Sequence, residues 1–169
     1  MSDPLLQELI DRVRSRFYGK YRGVVTDVDA STMRVKATVP SVLPQGTTGW
    51  AMPCVPYAGP SVGFIMLPEV GSGVWIEFEG GDVSYPLWVG MYWHSGDVPS
   101  QASATVKSII ASGGSIAIDD DQGSITLTDA QNNTVVLDSS GVTSTSGSSS
   151  VAIGSSGVNV NDGAFEVTS

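Results

Sequence analysis

Hydrophobic residues recur at two different spacings along the chain, and the change falls near residue 100. Before it, apolar residues alternate with polar ones in short runs separated by glycine and proline, which is typical of β-strands joined by turns. After it, pairs of apolar residues one position apart recur every seven to ten residues among Ser, Gly, Thr and Asp. The pattern predicts an all-β chain in which two different β architectures follow one another.

A short helix is predicted over residues 3–17, before the first strand. Asp3 can cap its N-terminus, Pro4 suits its first turn, and Gly19 is the expected stop. One side carries an apolar stripe, and a helix this short is marginal alone, so the stripe must dock on its own domain or on a partner subunit. We assign residues 1–20 to this segment, with four possible partner-facing residues: Leu5, Leu9, Val13 and Phe17.

Residues 21–95 are predicted to form a small antiparallel barrel of about five short strands. Tyr21–Val28 and Met33–Val39 flank the turn at Asp29. Gly49–Val55 contains a proline and is therefore placed near an edge or a bend. The remaining candidate strands are Gly63–Leu67, Val74–Glu79 and Pro86–Tyr92, and residues 96–106 are assigned to a linker.

Residues 107–169 are predicted to form seven short strands, each with one apolar face. Repeats of this kind bury that face only by stacking on neighbours. The residues expected in this buried core are Ile116, Ile118, Ile125, Leu127, Val135, Leu137, Val151, Ile153, Val158, Val160, Phe165 and Val167.

One copy of this segment has too few apolar side chains to make a domain core. Three copies wound together can direct their stripes at a shared axis, so we predict a trimeric intertwined β-helix or β-prism. Seven strands about 4.8 Å apart make a rod of roughly 30–35 Å. A single-chain solenoid is the competing interpretation, and the Ser/Gly-rich stretch Ser139–Ser150 is alternatively a disordered linker.

Charge and composition narrow the possible functions. The net charge is −9, with 17 acidic and 8 basic residues, and 41% of the chain is hydrophobic. This apolar content excludes a highly charged disordered chain. The acidic balance disfavours nucleic-acid binding, which depends on Lys and Arg. Cys54 has no intrachain partner and is expected to be a buried free thiol.

Each candidate for catalysis or metal binding has a simpler structural interpretation. His94 is the only histidine, and no G-x-S-x-G elbow accompanies it. Glu77 and Glu79 lie opposite the apolar face of their strand, so with Asp82 they resemble a solvated surface. Asp119-Asp120-Asp121 lacks the EF-hand spacing for Ca²⁺ and is expected to be a polar turn. We therefore predict no catalytic, cofactor or metal site and no enzyme activity.

A series of motifs occurs in a fixed order between Tyr21 and Trp93. They are Tyr21-Arg22-Gly23-Val24-Val25, Arg34-Val35-Lys36-Ala37-Thr38-Val39-Pro40, Trp50-Ala51-Met52-Pro53, Pro56-Tyr57-Ala58-Gly59-Pro60, Gly63-Phe64, Leu67-Pro68-Glu69-Val70-Gly71, Val74-Trp75-Ile76-Glu77-Phe78-Glu79-Gly80-Gly81-Asp82 and Pro86-Leu87-Trp88-Val89-Gly90. In the order and spacing of these motifs, the stretch resembles the OB-fold domain of the phage baseplate assembly protein V and VgrG-like spike group. The tail starting at Lys107 is similar to the β-helical needle of that group.

The resemblance implies a homotrimeric central spike of a contractile tail, joined to a hub protein and driven through the target cell envelope when the sheath contracts. Some members carry a muramidase domain between barrel and needle, but only about a dozen residues separate the two here. Others end in a metal-bearing His-x-His tip. The chain has no such motif, so a PAAR-like tip protein is the expected partner at its C-terminal end.

An OB-fold module for carbohydrate or nucleic acid with a flexible tail is the alternative function. OB-folds often stack bases on aromatic side chains, and the candidates are Trp75, Trp88, Trp93, Tyr85 and Tyr92. Their acidic surroundings argue against it, and we expect no nucleic-acid partner.

No apolar run long enough to span a membrane and no secretory signal occurs in the sequence. We therefore expect synthesis in a bacterial cytoplasm, followed by assembly into a phage virion baseplate or an extracellular contractile injection particle.

Overall fold

A computed structural model describes residues 4–168, and the chain divides into two compact units, with the boundary in the sequence between Val98 and Pro99. Within the described residues, the first unit holds one α-helix, a five-stranded sheet and a two-stranded hairpin. The second unit holds one eight-stranded sheet. The predicted all-β fold with a short N-terminal helix is confirmed. The terminal residues of the expected segments, including the proposed cap Asp3, lie outside the described range.

Helix α1 spans Pro4–Arg14 and begins with the proline that suited its first turn. It ends three residues before the predicted boundary. The chain then turns toward the barrel, because the backbone N–H of Phe17 donates to the carbonyl of Gly81 at 2.8 Å. Phe17 therefore belongs to the packing of the barrel.

The first unit contains seven strands. They are β1 (Tyr21–Asp29), β2 (Arg34–Thr38), β3 (Met52–Pro53), β4 (Ala58–Gly59), β5 (Val62–Gly63), β6 (Gly73–Phe78) and β7 (Pro86–Tyr92), with a 3₁₀ turn at Glu79–Gly81. Five of these strands form one sheet in the order β2-β1-β6-β7-β3.

The five-stranded sheet closes on itself as a barrel. β3 runs parallel to β7, whereas the other neighbours run antiparallel. Val35 in β2 and Ala51 beside β3 exchange backbone hydrogen bonds of 3.3 and 2.8 Å, which joins the two ends of the sheet. Closure leaves few unpaired strand edges.

The barrel core consists of apolar residues that alternate with more exposed residues along the strands. Val74, Ile76 and Phe78 of β6 point inward, and the remaining core residues are Val25, Val35, Ala37, Val39, Ala51 and Trp88. The indole N–H of Trp88 donates to the carbonyl of Met33 at 3.0 Å, which satisfies the one polar atom of that buried ring.

Two expectations about the first unit are wrong. Gly63–Leu67 is not a strand of the barrel, because only Val62–Gly63 pairs, with Ala58–Gly59, in a separate hairpin. The barrel is already closed by β3, so this apolar run finds no edge to join, and Ile65 is 76% exposed. Cys54 is also exposed rather than buried, since it follows the short β3 where the chain leaves the barrel.

The second unit is an antiparallel meander of eight strands, each paired with the next. They are β8 (Val106–Ala111), β9 (Gly114–Asp119), β10 (Ser124–Asp129), β11 (Thr134–Asp138), β12 (Gly141–Ser146), β13 (Ser149–Gly154), β14 (Gly157–Val160) and β15 (Phe165–Thr168). The prediction of seven strands missed β8. Its isoleucines, Ile109 and Ile110, are adjacent, whereas most of the other strands were recognised by two apolar residues one position apart. The Ser/Gly-rich stretch Ser139–Ser150 contains β12 and is not a disordered linker.

Strand pairing in this sheet is satisfied within the chain. Every strand from β9 to β14 has two hydrogen-bonded neighbours of its own chain, and only β8 and β15 are edges. Pairing of each strand with other chains is therefore not needed, which favours packed sheets, as in a β-prism, over intertwined strands. Eight strands about 4.8 Å apart extend over roughly 34 Å.

Aspartates at strand ends organise several of the turns. The carboxylate of Asp129 accepts the backbone N–H groups of Gln131 and Asn133 at 2.9 and 2.8 Å. That of Asp138 accepts the N–H of Ser140 at 2.8 Å. Hydrogen bonds from the side chains of Asn133 and Ser140 are the largest cause that lowers the pKa of Asp129 and Asp138, respectively. Part of the negative charge of the chain thus has a structural role.

These lowered pKa values predict acid sensitivity. The stabilisation is complete above the ordinary pKa of 3.8 and is lost as pH falls through the lower folded value. We expect the denaturant concentration at the midpoint of unfolding to decrease as the pH is lowered from about 5 to about 2.5. The double variant Asp129→Asn, Asp138→Asn keeps an accepting oxygen but cannot titrate, so it should show a smaller fall. An equal fall in both proteins would contradict this role.

A second prediction concerns Gly141, the first residue of β12. Its φ is +133°, and a Cβ at this position would lie 2.0 Å from the carbonyl oxygen of Ile153. Gly141→Ala should therefore lower the free energy of unfolding by more than about 2 kcal/mol. Gly113→Ala is the control, because its Cβ would meet no atom within 4 Å, and its effect should stay within about 0.5 kcal/mol. Equal effects would show that the close approach does not matter.

Candidate assembly surface

The strand register places all twelve predicted core residues on one face of the eight-stranded sheet. Residues directly opposite each other in antiparallel strands point to the same side. Ile125 lies opposite both Ile118 and Leu137, and Leu127 lies opposite both Ile116 and Val135. The same relation continues through β12 to β15. This face can form the core of an oligomer only if other chains cover it.

Each strand contributes two positions to this face, so the positions form two rows of eight. One row contains Ile109, Ile116, Leu127, Val135, Ser144, Val151, Val160 and Phe165. The other contains Lys107, Ile118, Ile125, Leu137, Val142, Ile153, Val158 and Val167. Fourteen of the sixteen are apolar, and we call this surface the apolar face. Ile109 and Val142 are members that the expected core set lacked.

The apolar face is open to solvent in the single chain. Ile125 and Leu127 at its middle are 39% and 41% exposed, and Ile153 and Phe165 nearer its end are 52% and 63% exposed. Soluble monomers rarely expose a continuous apolar surface this extensive. Its composition therefore indicates a protein interface.

The opposite face of the same sheet has a different chemistry. The row that runs across its middle is Ser108, Ala117, Thr126, Val136, Thr143, Ala152, Asn159 and Glu166. Most of these side chains are small or polar, which suits contact with water. The sheet thus has one face for burial and one for solvent.

The N-terminal helix presents a second exposed apolar surface. Leu5, Leu9 and Val13 are 74%, 58% and 64% exposed, and Leu6 is 54% exposed beside them. Phe17 does not join this stripe. Its ring is half-buried and lies 6.2 Å from Tyr21 and 6.5 Å from Phe78, centroid to centroid, so it anchors the segment after the helix to the barrel.

Two of the three candidate carboxylates of the barrel, Glu77 and Asp82, take part in ion pairs. Asp82 receives a hydrogen bond from Arg16 at 2.9 Å, and Glu77 contacts the ammonium of Lys20 at 2.5 Å. The pKa of Asp82 is lowered, first by the backbone N–H of Ser84 and also by Arg16. These ion pairs connect the segment between helix α1 and β1 to the barrel. They are compatible with the predicted solvated surface.

The aromatic residues proposed for base stacking do not form one open platform. Trp88 lies in the core, and the guanidinium of Arg22 lies 5.6 Å from the Trp75 ring and 5.7 Å from the Tyr92 ring. This cation–π contact covers one face of each ring. Tyr85 and Trp93 are exposed.

The remaining polar candidates have structural partners. His94 Nδ1 lies 3.1 Å from Asp97, and the His94 ring packs edge-on against Tyr92. Asp119 accepts the backbone N–H groups of Asp121 and Gln122, as expected of a turn. Over residues 4–168, no three His, Cys, Asp or Glu side chains are grouped to hold a metal ion, and no helix is long and apolar enough to cross a membrane.

Two family matches coincide with the two units of the structure. Residues 21–93 match the family described as the type VI secretion system/phage-baseplate injector OB domain. Residues 107–166 match the phage baseplate V C-terminal trimerisation domain. No curated protein matches the sequence. Because the two matches together cover more than three quarters of the chain, the chain belongs to the baseplate V family of phage and type VI injector proteins.

Proposed function

We propose that the protein is the central spike of a contractile tail baseplate. Three chains associate through the apolar face, a hub protein holds them, and sheath contraction drives them through the target cell envelope. The observation that carries this proposal is the uncovered apolar face, within a range that matches a trimerisation domain. Both matched families are structural parts of a baseplate, and the proposed role is mechanical rather than enzymatic.

The association of three sheets follows from the hydrophobic effect. Burial of apolar surface contributes about 25 cal/mol per Å², so a half-exposed Ile or Leu contributes on the order of 1 kcal/mol when covered. The apolar face holds fourteen apolar side chains per chain, eleven of them more than a third exposed, and together they make a strong interface even after the entropic cost of association. A threefold arrangement directs all three faces to one axis and leaves the polar faces in water.

The stiffness of the proposed needle comes from its hydrogen bonding. Each sheet is continuous from β8 to β15, so a compressive load along the axis acts on stacked strands held by regular backbone bonds. Opening one sheet would also expose the apolar face of the other two. The assembly therefore resists local unfolding more strongly than one chain does.

The exposed stripe of the helix is proposed to contact the hub. Leu5, Leu9 and Val13 are its central residues and are 74%, 58% and 64% exposed. Phe17 is left out of this proposal because it packs on the barrel.

The opposite end of the chain is proposed to receive a PAAR-like tip protein. β15 is the last strand of the sheet and has a neighbour in the chain on one side only, so its other edge is available to a partner. Synthesis in a bacterial cytoplasm, before incorporation into a phage or injection particle, completes the proposal.

A charge on the apolar face should prevent assembly. Ile125→Glu places three carboxylates at one axis of a trimer, where burial without partners is costly. We expect wild-type protein to sediment at three times the chain mass of 17.6 kDa and the variant at one chain mass. Thr126→Glu is the matched control, because it adds the same charge to the next residue of β10 on the opposite face.

Two results would overturn the assembly proposal. One is an Ile125→Glu protein that still forms trimers while Thr126→Glu does not. The other is a wild-type protein that stays monomeric at micromolar concentration and whose residues 106–169 are rapidly cleaved by protease. The second result would favour a barrel with a flexible tail.

A charge on the apolar stripe of helix α1 should reduce incorporation of the protein into particles without preventing formation of its trimer. Leu9→Glu changes a 58% exposed side chain, so the fold of the chain should tolerate it. We expect its trimers to form normally but to be depleted at least tenfold in purified particles, measured by quantitative immunoblotting. Glu8→Gln, at the neighbouring position of the same helix, should be incorporated normally. Normal incorporation of Leu9→Glu would contradict the hub contact.

A further inference from the structure

The apolar face is so repetitive that it does not by itself define how three chains align. Most strands offer two aliphatic side chains at the same two positions, drawn from Ile, Leu and Val. Moving one chain along the axis by one strand, about 4.8 Å, sets each pair against another of similar shape. A uniform face of this kind specifies register weakly.

The residues that break the repetition are therefore the ones that can encode register. Lys107 and Phe165 lie on the first and last strands of the sheet. The ammonium of Lys107 is bonded to the carboxylate of Asp120 and, at 3.0 Å, to the carbonyl of Ala104, so it is held at the end of the face. Ser144 on β12 is the single polar position in the interior of the apolar face.

Ser144 has apolar neighbours on both sides. Its cross-strand partners are Val135 on β11 and Val151 on β13. Across residues 4–168, its hydroxyl makes no hydrogen bond within the chain. Burying such a hydroxyl against aliphatic side chains is unfavourable unless another polar group meets it.

We propose that Ser144 sets the register of the three chains. When the chains are aligned, three Ser144 hydroxyls surround the axis, and each donates one hydrogen bond and accepts another. When one chain is shifted by a strand, its hydroxyl faces Val135 or Val151 of its neighbours, and all three hydroxyls lose the closed ring. This inference rests on the proposed trimer. A single buried polar position fixes the register of coiled coils in the same way.

No strand of the barrel pairs with a strand of the eight-stranded sheet. Twelve residues separate Trp93 from Val106, and they contain no strand of either sheet. The alignment of the sheets therefore depends on the sheets themselves.

Threefold symmetry supplies the test. Phe165 is the one phenylalanine of the second unit, and Phe17, Phe64 and Phe78 belong to the first. The full-length protein is labelled with fluorophenylalanine and refolded from denaturant, and its ¹⁹F spectrum is recorded. Phe165→Leu assigns the Phe165 signal. Aligned chains are equivalent and give one Phe165 resonance, whereas a shifted chain makes them inequivalent and splits it.

The wild-type protein and Ser144→Thr, which keeps the hydroxyl, should give one Phe165 resonance at trimer mass. Ser144→Ala and Ser144→Val should stay trimeric but split the resonance into two or more components. Thr143→Val, the next residue on the opposite face, should leave it single.

Three outcomes would overturn the register role. They are a single resonance in both hydroxyl-free variants at trimer mass, an equal splitting in Thr143→Val, and loss of trimers in Ser144→Ala and Ser144→Val while Ser144→Thr assembles. A wild-type protein that sediments as a monomer would contradict the proposed trimer itself, a result distinct from these three.

Discussion

The organisation of this protein depends on the antiparallel pairing of β8 to β15. Because each strand pairs with its neighbour directly, side chains two residues apart on every strand fall into the same two rows. The rows collect fourteen apolar residues on one side and leave small and polar residues on the other. No core forms within one such sheet, so burial of this face requires other chains. Self-association is thus a consequence of the register.

The closed barrel differs from the second unit because its apolar residues are already covered within one chain. Its core is complete within one chain, with Val25, Ile76 and Trp88 among the buried residues, and its edges are joined by the bonds between Val35 and Ala51. It does not need partners for stability, which leaves its outer surface and the helix stripe available for contacts. The chain thus combines a barrel with a complete core and a sheet whose apolar face needs a partner to cover it.

Much of this was predictable from the sequence, because the informative signals are local. The alternation of Val74, Ile76 and Phe78 predicts the barrel interior, and the spaced pairs predict one apolar face of the needle. The predictions from the sequence were wrong where contacts between distant parts of the chain decide the structure. The apolar run at Phe64–Leu67 has no edge to join, and β8 has two adjacent isoleucines in place of a spaced pair. Phe17 has helical spacing, but a backbone bond to Gly81 draws it to the barrel. Ser144 is unremarkable in a Ser-rich sequence until the register shows what lies beside it.

The most direct test of the central claim is the mass of the full-length chain in solution, measured by sedimentation equilibrium at micromolar concentration. An apolar face that is buried between three chains predicts a single species of about 53 kDa, three times the chain mass of 17.6 kDa. A single species of one chain mass, with the second unit still folded, would contradict the account.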